Sequence, residues 1–118
     1  MLHTELDIFK ASYDLLGVVA DLNPHLPRLQ RALGRKILDE CTEVVAAIPL
    51  ANAQRGAAKV PYIDRLLQRL EVLKTLLRLC VDRKWIAREQ FARTVQLTTS
   101  IGKQAHGWKK ASASSPAA

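Results

Sequence analysis

Proline and glycine divide this chain into helix-length segments, and each segment has the apolar spacing of an amphipathic helix. Asn23-Pro24 with Pro27, and later Arg55-Gly56 with Pro61, are helix stop and start signals. Between these signals apolar residues recur every three or four positions, which is the period of a helix and not of a strand. The sequence therefore predicts an all-α fold, an up-down-up-down four-helix bundle with short loops.

The predicted helices span about 4–22, 27–54, 62–82 and 87–110, within one domain of residues 1–110. A length of 118 residues suits a single bundle. Pro49 either ends the second helix near Ala47 or kinks it, because an interior proline loses a backbone hydrogen bond and collides with the preceding turn. The Ala- and Ser-rich residues 111–118 are predicted to form a disordered tail.

One apolar row on each helix is predicted to face the core. The first row is Leu6, Phe9, Tyr13, Leu16 and Val19 or Ala20; the second is Leu26, Leu29, Leu33, Ile37, Cys41, Val44 and Ile48; the third is Ile63, Leu66, Leu67, Leu70, Leu73, Leu77 and Cys80; the fourth is Phe91, Thr98, Ile101, Ala105 and Trp108. Because both cysteines fall in these rows, we expect two buried thiols and no disulfide.

The third predicted helix carries a second apolar row away from the core. Val72, Leu76 and Leu79 follow one another at i, i+4 and i+7. An isolated bundle would leave this row in water, so it predicts a contact with another subunit or a partner. The alternative is that these are ordinary surface side chains, which are common when scattered.

The positive charge of the chain is concentrated at its C-terminal end. Residues 83–118 contain seven basic residues and one acid, which places six of the formal net charge of +7 in this part. Residues 1–82 are nearly balanced, with eleven basic and ten acidic residues. A nearly neutral scaffold with a basic C-terminal element indicates a polyanionic partner.

Helical geometry arranges the basic residues in outward-facing rows on the second and fourth helices. Such rows can contact phosphates, which gives affinity and salt dependence with little sequence information. A solvated surface is the alternative for either row alone. The chain has few aromatic residues, which argues against a stacking platform for single strands. The predicted nucleic-acid-binding residues are Arg28, Arg31, Arg35, Arg88, Lys103, Lys109 and Lys110.

Signatures of catalysis, metal binding and membrane insertion are weak or missing from the sequence. His3, His25 and His106 are far apart along the chain and form no Glu-x-x-His pair. No glycine-rich phosphate loop or haem-attachment motif occurs, so we expect no enzyme activity and no cofactor. The absence of a long apolar run and of a basic N-terminal region predicts a soluble, cytoplasmic protein that contacts no membrane.

Several short segments resemble one family of small four-helix proteins. These segments are Phe9-Lys10-Ala11-Ser12-Tyr13-Asp14-Leu15-Leu16, Leu33-Gly34-Arg35-Lys36-Ile37, Leu73-Lys74-Thr75-Leu76-Leu77-Arg78-Leu79-Cys80 and Ile101-Gly102-Lys103-Gln104-Ala105-His106-Gly107-Trp108-Lys109-Lys110. In order and spacing they resemble the accessory variability determinant proteins of diversity-generating retroelements. The resemblance covers roughly residues 5–110, and Gly-x-Trp-Lys is its sharpest motif. That family is related to proteins encoded within ribosomal-RNA intervening sequences.

The resemblance implies a barrel-shaped homopentamer that is not itself catalytic. It further implies binding to a reverse transcriptase and its template RNA, during mutagenic copying of a template repeat into a variable gene. The nucleic acid would be structured RNA, with DNA as a further candidate. Residues that match the family, as scaffold or surface, are Gly34, Arg35, Leu77, Arg78, Gly102, Gly107 and Trp108. Arg78 is placed equally well to contact RNA or to pair with an acid such as Asp82.

Two other functions remain open at the level of sequence. A protein–protein adaptor would use the apolar row of the third helix to dock a partner helix, with the positive charge steering an acidic protein. A ribosomal-RNA intervening-sequence protein would share the fold and the basic character.

Overall fold

In the computed structural model, which describes residues 1–115, four α-helices account for most of the chain. They are α1 (Asp7–Leu22), α2 (Arg31–Asn52), α3 (Val60–Asp82) and α4 (Arg88–Ala113). Short 3₁₀ turns precede α1 and lie in the α1–α2 and α2–α3 connections. The described residues contain no β-strand, so the all-α prediction is confirmed.

The four helices form an antiparallel bundle in which each helix packs against two neighbours. The packed pairs are α1 with α2, α2 with α3, α3 with α4, and α4 with α1. Ion pairs show that α2 and α3 run antiparallel. Glu40 pairs with Arg69, whereas Glu43, later in α2, pairs with Arg65, earlier in α3. The bundle measures 50 × 22 × 21 Å. It is long enough that its two ends are separate surfaces.

The interior is filled mainly by aliphatic side chains from all four helices. At its centre, Leu15, Ile48, Ile63, Leu73 and Ile101 have no exposed surface. These residues repeat with helical spacing because burial of one stripe per helix is what stabilises a bundle in water. Cys41 and Cys80 are buried free thiols, as their positions in the predicted rows indicated.

The row predicted for the first helix is confirmed at Val19 and wrong at Tyr13, while Leu6, Phe9 and Leu16 are only partly buried against the core. The buried residues are Ile8, Ser12, Leu15, Val19 and Leu22. Tyr13 is 62% exposed, and its ring stacks on Phe9 with the centroids 6.0 Å apart. Two overlapping apolar rows occur in this segment, and the aliphatic row lies between α2 and α4. The aromatic row lies at the edge of the bundle, where the tyrosine hydroxyl remains in water.

The second helix begins later than predicted and passes through its proline. Gln30 has a non-helical backbone with φ −104° and ψ 26°, so residues 28–30 form a separate 3₁₀ turn. Leu29, predicted to be buried, lies in that turn and is 94% exposed. Pro49 neither ends the helix near Ala47 nor prevents it from reaching Asn52. The proline is near the C-terminus of the helix, and its own carbonyl accepts the Ala53 N–H at 3.0 Å.

The fourth helix is longer than predicted and includes part of the expected tail. It continues to Ala113, and Ser112 is buried. The Ser115 carbonyl then accepts the Ala57 N–H at 3.2 Å, which ties this segment to the α2–α3 connection. Alanine and serine are compatible with a helix when a packed neighbour is available. Residues 116–118 of the predicted tail lie outside the described residues.

At Gly34, helix packing leaves no room for a side chain. A Cβ at this position would collide with the Asn23 side-chain oxygen and would lie 3.2 Å from Leu26 Cδ1. Asn23 Nδ2 donates a hydrogen bond to the Gly34 carbonyl at 3.3 Å. The backbone of α2 therefore packs directly against the α1–α2 connection. In contrast, Gly17 and Gly107 face open space.

Candidate nucleic-acid interface

Three basic residues form the first row, at the start of α2. Arg28, Arg31 and Arg35 are all exposed. They follow the α1–α2 connection and point away from the core, because the buried residues of α2 begin on the other face with Gly34 and Ile37. We call these three arginines the α2 basic row.

Three further basic residues form a row along α4. Arg88, Lys103 and Lys110 are exposed, and none forms an ion pair within residues 1–115. The row extends over about 33 Å at 1.5 Å per residue, with a gap between its first and second members. Ala92 and Thr99 lie on the same side of the helix and leave it unobstructed. We call these residues the α4 basic row.

The two rows do not form one continuous surface along the sides of the bundle. The helices α2 and α4 lie diagonally opposite each other, because each packs against α1 and α3. Their outer faces therefore point in opposite directions. The rows approach each other only where residues 23–30 and 83–87 connect the helices, at the end we call the turn end. Arg28, Arg31 and Arg88 lie at the turn end, whereas Lys103 and Lys110 lie farther along α4.

Two cations considered as RNA contacts are engaged in ion pairs. Lys109 Nζ lies 2.7 Å from Asp64 Oδ1 and joins α4 to α3. It therefore does not share the outer face of Lys103 and Lys110. Arg78 Nε lies 3.1 Å from Asp82 Oδ1 along α3. Of the two interpretations left open for Arg78, this geometry favours the pairing with Asp82.

Another cation, Lys59, has a structural role at the opposite end of the bundle. Its Nζ donates to the carbonyls of Ala51 at 3.1 Å and Gln54 at 2.6 Å, at the C-terminal end of α2. The same ammonium lies 5.8 Å from the centroid of the Trp108 ring. A cation is stabilised at a helix C-terminus and over an aromatic face. Trp108, in the Gly-x-Trp-Lys motif, thus helps to join α4 to the α2–α3 connection.

The apolar row of α3 is exposed at its two ends, and Leu76 packs partly against the core. Val72 is 41% exposed and Leu79 is 37% exposed, while Leu76 between them is half-buried. In the antiparallel register of α2 and α3, the start of α2 lies beside the end of α3. This places the fully exposed Leu29 near the Leu79 end of the row. Leu29 and the row are therefore two exposed apolar features of the molecule.

A buried carboxylate anchors the cations next to the apolar row. Glu40 is 2% exposed, and its Oε1 lies 2.7 Å from Lys36 Nζ and 3.3 Å from Arg69 Nη1. Its Oε2 is buried without a hydrogen-bond partner in the described chain. A buried charge is tolerated when it is paired. Arg69 is therefore held against α2 and is not available as a mobile surface cation.

The described residues show no arrangement that would support metal binding, and their thiols are shielded. Within residues 1–115, no three His, Cys, Asp or Glu side chains converge where they could hold a metal ion. Burial raises the pKa of the Cys41 thiol to about 12 and raises the pKa of Cys80 in the same direction. Both cysteines are therefore protonated and unreactive near neutral pH. Over the same residues, no helix combines the length and apolar content that crossing a membrane requires.

Sequence reasoning missed two residues of the α3–α4 connection. Lys84 has a left-handed backbone with φ 60°, and the neighbouring Trp85 is half-buried. Together with Arg78 and Arg88 they line an open cleft at the turn end. The signal available in the sequence was the run Arg83-Lys84-Trp85, which places two cations and an aromatic ring in one short connection.

Comparison with solved structures identifies the class of fold. The chain is similar to a protein of unknown function from the S23 ribosomal protein family of Bacteroides thetaiotaomicron, with a TM-score of 0.78 and 21% sequence identity. The similarity covers 87% of this chain and 98% of the other. At this level of identity the comparison establishes the four-helix fold alone. A comparison with curated proteins finds no match.

A family comparison narrows the class further. The family model described as bAvd-like matches residues 8–112, which includes all four helices apart from a single residue at each end. The chain belongs to the bAvd-like family. The resemblance to accessory variability determinant proteins is therefore confirmed.

Proposed function

We propose that this protein is a non-catalytic accessory factor of a diversity-generating retroelement. In this role it associates with the reverse transcriptase and the template RNA during mutagenic retrohoming. Membership of the bAvd-like family, over residues 8–112, is the observation that carries the proposal. The exposed basic rows support it, because unpaired surface cations are suited to contact a phosphate backbone without reading its sequence.

Assembly into a homopentamer is part of the same proposal. Val72 and Leu79 leave apolar surface in water that contact with a second copy would bury. Five copies would bring the formal charge to about +35, five times the +7 of one chain. A ring with this charge would attract structured RNA strongly at low salt. DNA is a further candidate ligand, because phosphate contacts alone do not distinguish the two nucleic acids.

Charge reversal on α4 tests the nucleic-acid interface. We expect Lys103→Glu with Lys110→Glu to weaken the binding of structured RNA in a filter-binding titration and to reduce its salt dependence, because two phosphate contacts are lost. Both side chains are exposed and unpaired, so the fold should be unaffected. Unchanged affinity would remove Lys103 and Lys110 from the interface.

A matched control separates local contacts from the overall charge. Lys10→Glu with Arg55→Glu changes the net charge by the same amount at exposed positions outside both basic rows. Long-range attraction falls equally in the two double variants. We therefore expect the control to retain more affinity than Lys103→Glu with Lys110→Glu. Equal losses would indicate that only the total charge matters.

Association with the reverse transcriptase has a separate test. A reverse transcriptase gene and paired near-identical repeats beside the gene for this protein would support the retroelement role. If that enzyme is co-expressed with the tagged protein, we expect the two to elute together in size exclusion after nuclease treatment. Separate elution, under conditions in which both proteins remain folded, would contradict the proposed partnership.

A protein–protein adaptor is the second candidate, and the exposed apolar surface favours it. Leu29 is 94% exposed, and Val72 and Leu79 on α3 are 41% and 37% exposed. An amphipathic partner helix could cover these residues. The adaptor would bind no RNA at physiological salt, so the filter-binding titration with the unmodified protein distinguishes the two functions.

A further inference from the structure

The turn end contains an open cleft formed by the last turn of α3, the α3–α4 connection and the first turn of α4. Its volume is about 760 Å³, which is within the range of small-molecule binding sites. Cations and aromatic rings line it together, and it includes Arg88, the first member of the α4 basic row. The residues of this turn cleft are Arg78, Val81, Asp82, Lys84, Trp85, Ile86, Ala87, Arg88 and Phe91.

The charge of the turn cleft is positive. Three cations line it, Arg78, Lys84 and Arg88, against the single carboxylate of Asp82. Asp82 is paired with Arg78, with the Nε atom 3.1 Å from Oδ1 and 3.2 Å from Oδ2. Lys84 and Arg88 are exposed and form no ion pair within residues 1–115. An anion that enters the cleft can therefore contact two cations without first breaking an ion pair.

Trp85 provides an aromatic surface beside these cations. Its indole packs against the hydrophobic core and also lines the cleft. Within the described chain, the indole N–H makes no side-chain hydrogen bond. An aromatic ring and unpaired cations that line one cleft are suited to a flat base that is linked to phosphate.

The backbone of the connection fixes the positions of Lys84 and Trp85. The Trp85 N–H donates to the Cys80 carbonyl at 2.9 Å, and the Lys84 N–H donates to the Val81 carbonyl at 3.0 Å. This pair of bonds closes the C-terminus of α3 and requires a left-handed residue, here Lys84 with φ 60°. The buried side chain of Ile86, 5% exposed, anchors the next position. The site is therefore built on a rigid turn.

We propose that the turn cleft binds an unpaired nucleotide of RNA, with its base against Trp85 and its phosphates against Lys84 and Arg88. The inference rests on the proposed function and adds to it the class of nucleic acid at this surface. A base inside a duplex cannot present its face to an indole, because both faces are already stacked. The few aromatics of the sequence argued against an extended stacking platform, but one nucleotide requires only one ring.

Tryptophan fluorescence tests the contact directly. Trp108 is replaced by phenylalanine, so that Trp85 is the remaining tryptophan. The probes are a single-stranded oligouridylate and a blunt RNA duplex with an equal number of phosphates, at the same salt concentration. We expect a saturable quench of Trp85 emission with the single strand and a much weaker one with the duplex, in which only the terminal base pairs expose a face. Equal quenching by both probes, or no quenching while RNA binds, would overturn the proposal.

Two variants test the cleft in the unmodified background by filter binding of the same oligouridylate. Lys84→Gly removes a cation and supplies the residue that a left-handed position favours, so a loss of affinity cannot be attributed to unfolding. Trp85→Leu keeps an apolar side chain on the core and removes the aromatic face. We expect Trp85→Leu to weaken single-strand binding by roughly tenfold, the scale of one base–aromatic stack. Lys84→Gly should weaken it by a smaller factor.

Lys10→Gln is the control for Lys84→Gly. Lys10→Gln removes one exposed charge from α1, away from the turn end, and should change the affinity less than Lys84→Gly does. If the unmodified protein binds RNA and both cleft variants bind the single strand as tightly as it does, the turn cleft is excluded as a binding site. The proposed function then stands. If the unmodified protein binds neither single strand nor duplex, the proposed function falls together with the cleft.

Discussion

The absence of a side chain at Gly34 allows α2 to pack closely against the connection that follows α1. A Cβ would force the Asn23 side chain away from its place and break its hydrogen bond to the Gly34 carbonyl. We expect Gly34→Ala to be less stable than Gly17→Ala by about 1 to 3 kcal/mol in urea unfolding. Gly17→Ala is the matched control, since its Cβ meets open space and should add up to about 1 kcal/mol of stability. Equal stabilities would mean that Asn23 does not require the glycine.

Cys41 should make stability depend on pH at the alkaline side. Burial raises the pKa of its thiol from 9.0 to about 12, so the folded protein keeps a proton that the unfolded chain releases. This contribution is fully present below about pH 9 and is lost as the pH rises towards about 12, at a slope of up to about 1.4 kcal/mol per pH unit. We expect Cys41→Ala to decline less steeply in urea unfolding over this range. Parallel declines would contradict the assignment.

The ion pairs between α2 and α3 should differ sharply in their effect on stability. Arg69 meets a carboxylate that is 3% exposed, whereas Arg65 meets Glu43, which is 43% exposed. We expect Arg69→Ala to cost about 1 to 3 kcal/mol, because Glu40 keeps only Lys36 as a partner. Arg65→Ala should cost less than about 1 kcal/mol. Urea unfolding of both variants measures the difference, and similar costs would show that burial of Glu40 is not decisive.

Individual helices were predictable from the sequence to different degrees, and α1 and α3 show why. In α3 the aliphatic residues fall on one narrow face, so periodicity alone located Ile63, Leu70 and Leu77 in the core. In α1 two rows overlap, and the choice depends on where α2 and α4 lie, which the local sequence does not contain. The exposed Tyr13 is the result of that choice.

Contacts between helices also decide which features of the candidate site could be predicted from the sequence. The outward direction of Arg31, Arg35 and Lys103 follows from helical phase, and all three are exposed. The pairing of Lys109 with Asp64 depends on the approach of α3 to α4, which only the folded chain shows. The turn cleft likewise depends on a left-handed lysine, a conformation that is rare outside glycine and that sequence patterns do not indicate.

At the scale of the whole molecule, substitutions in the apolar row of α3 test whether the protein assembles. We expect Val72→Lys with Leu79→Lys to lower the solution mass measured by light scattering after size exclusion in high salt, because a charged side chain opposes burial of this surface. High salt removes adventitious nucleic acid and leaves apolar contacts in place. The unmodified protein should have the mass of a pentamer.

The control for assembly is Leu50→Lys. Leu50 is an apolar residue near the C-terminal end of α2, and it is 48% exposed. It introduces one such substitution outside the row and should leave the mass unaltered. A monomeric unmodified protein would remove the assembly from the proposal and would make the apolar row a partner-docking site or an ordinary surface.

Both ends of the described chain lie at the same end of the bundle. Asn52 Nδ2 donates to the Met1 carbonyl at 3.1 Å, and the Ala57 N–H donates to the Ser115 carbonyl at 3.2 Å. Both contacts are beside the α2–α3 connection, across the 50 Å length of the bundle from the turn end. A linker attached at either terminus therefore leaves the turn end unobstructed. Immobilised on a sensor surface through such a linker, the protein would direct Trp85 and the arginines of α2 towards the flowing solution.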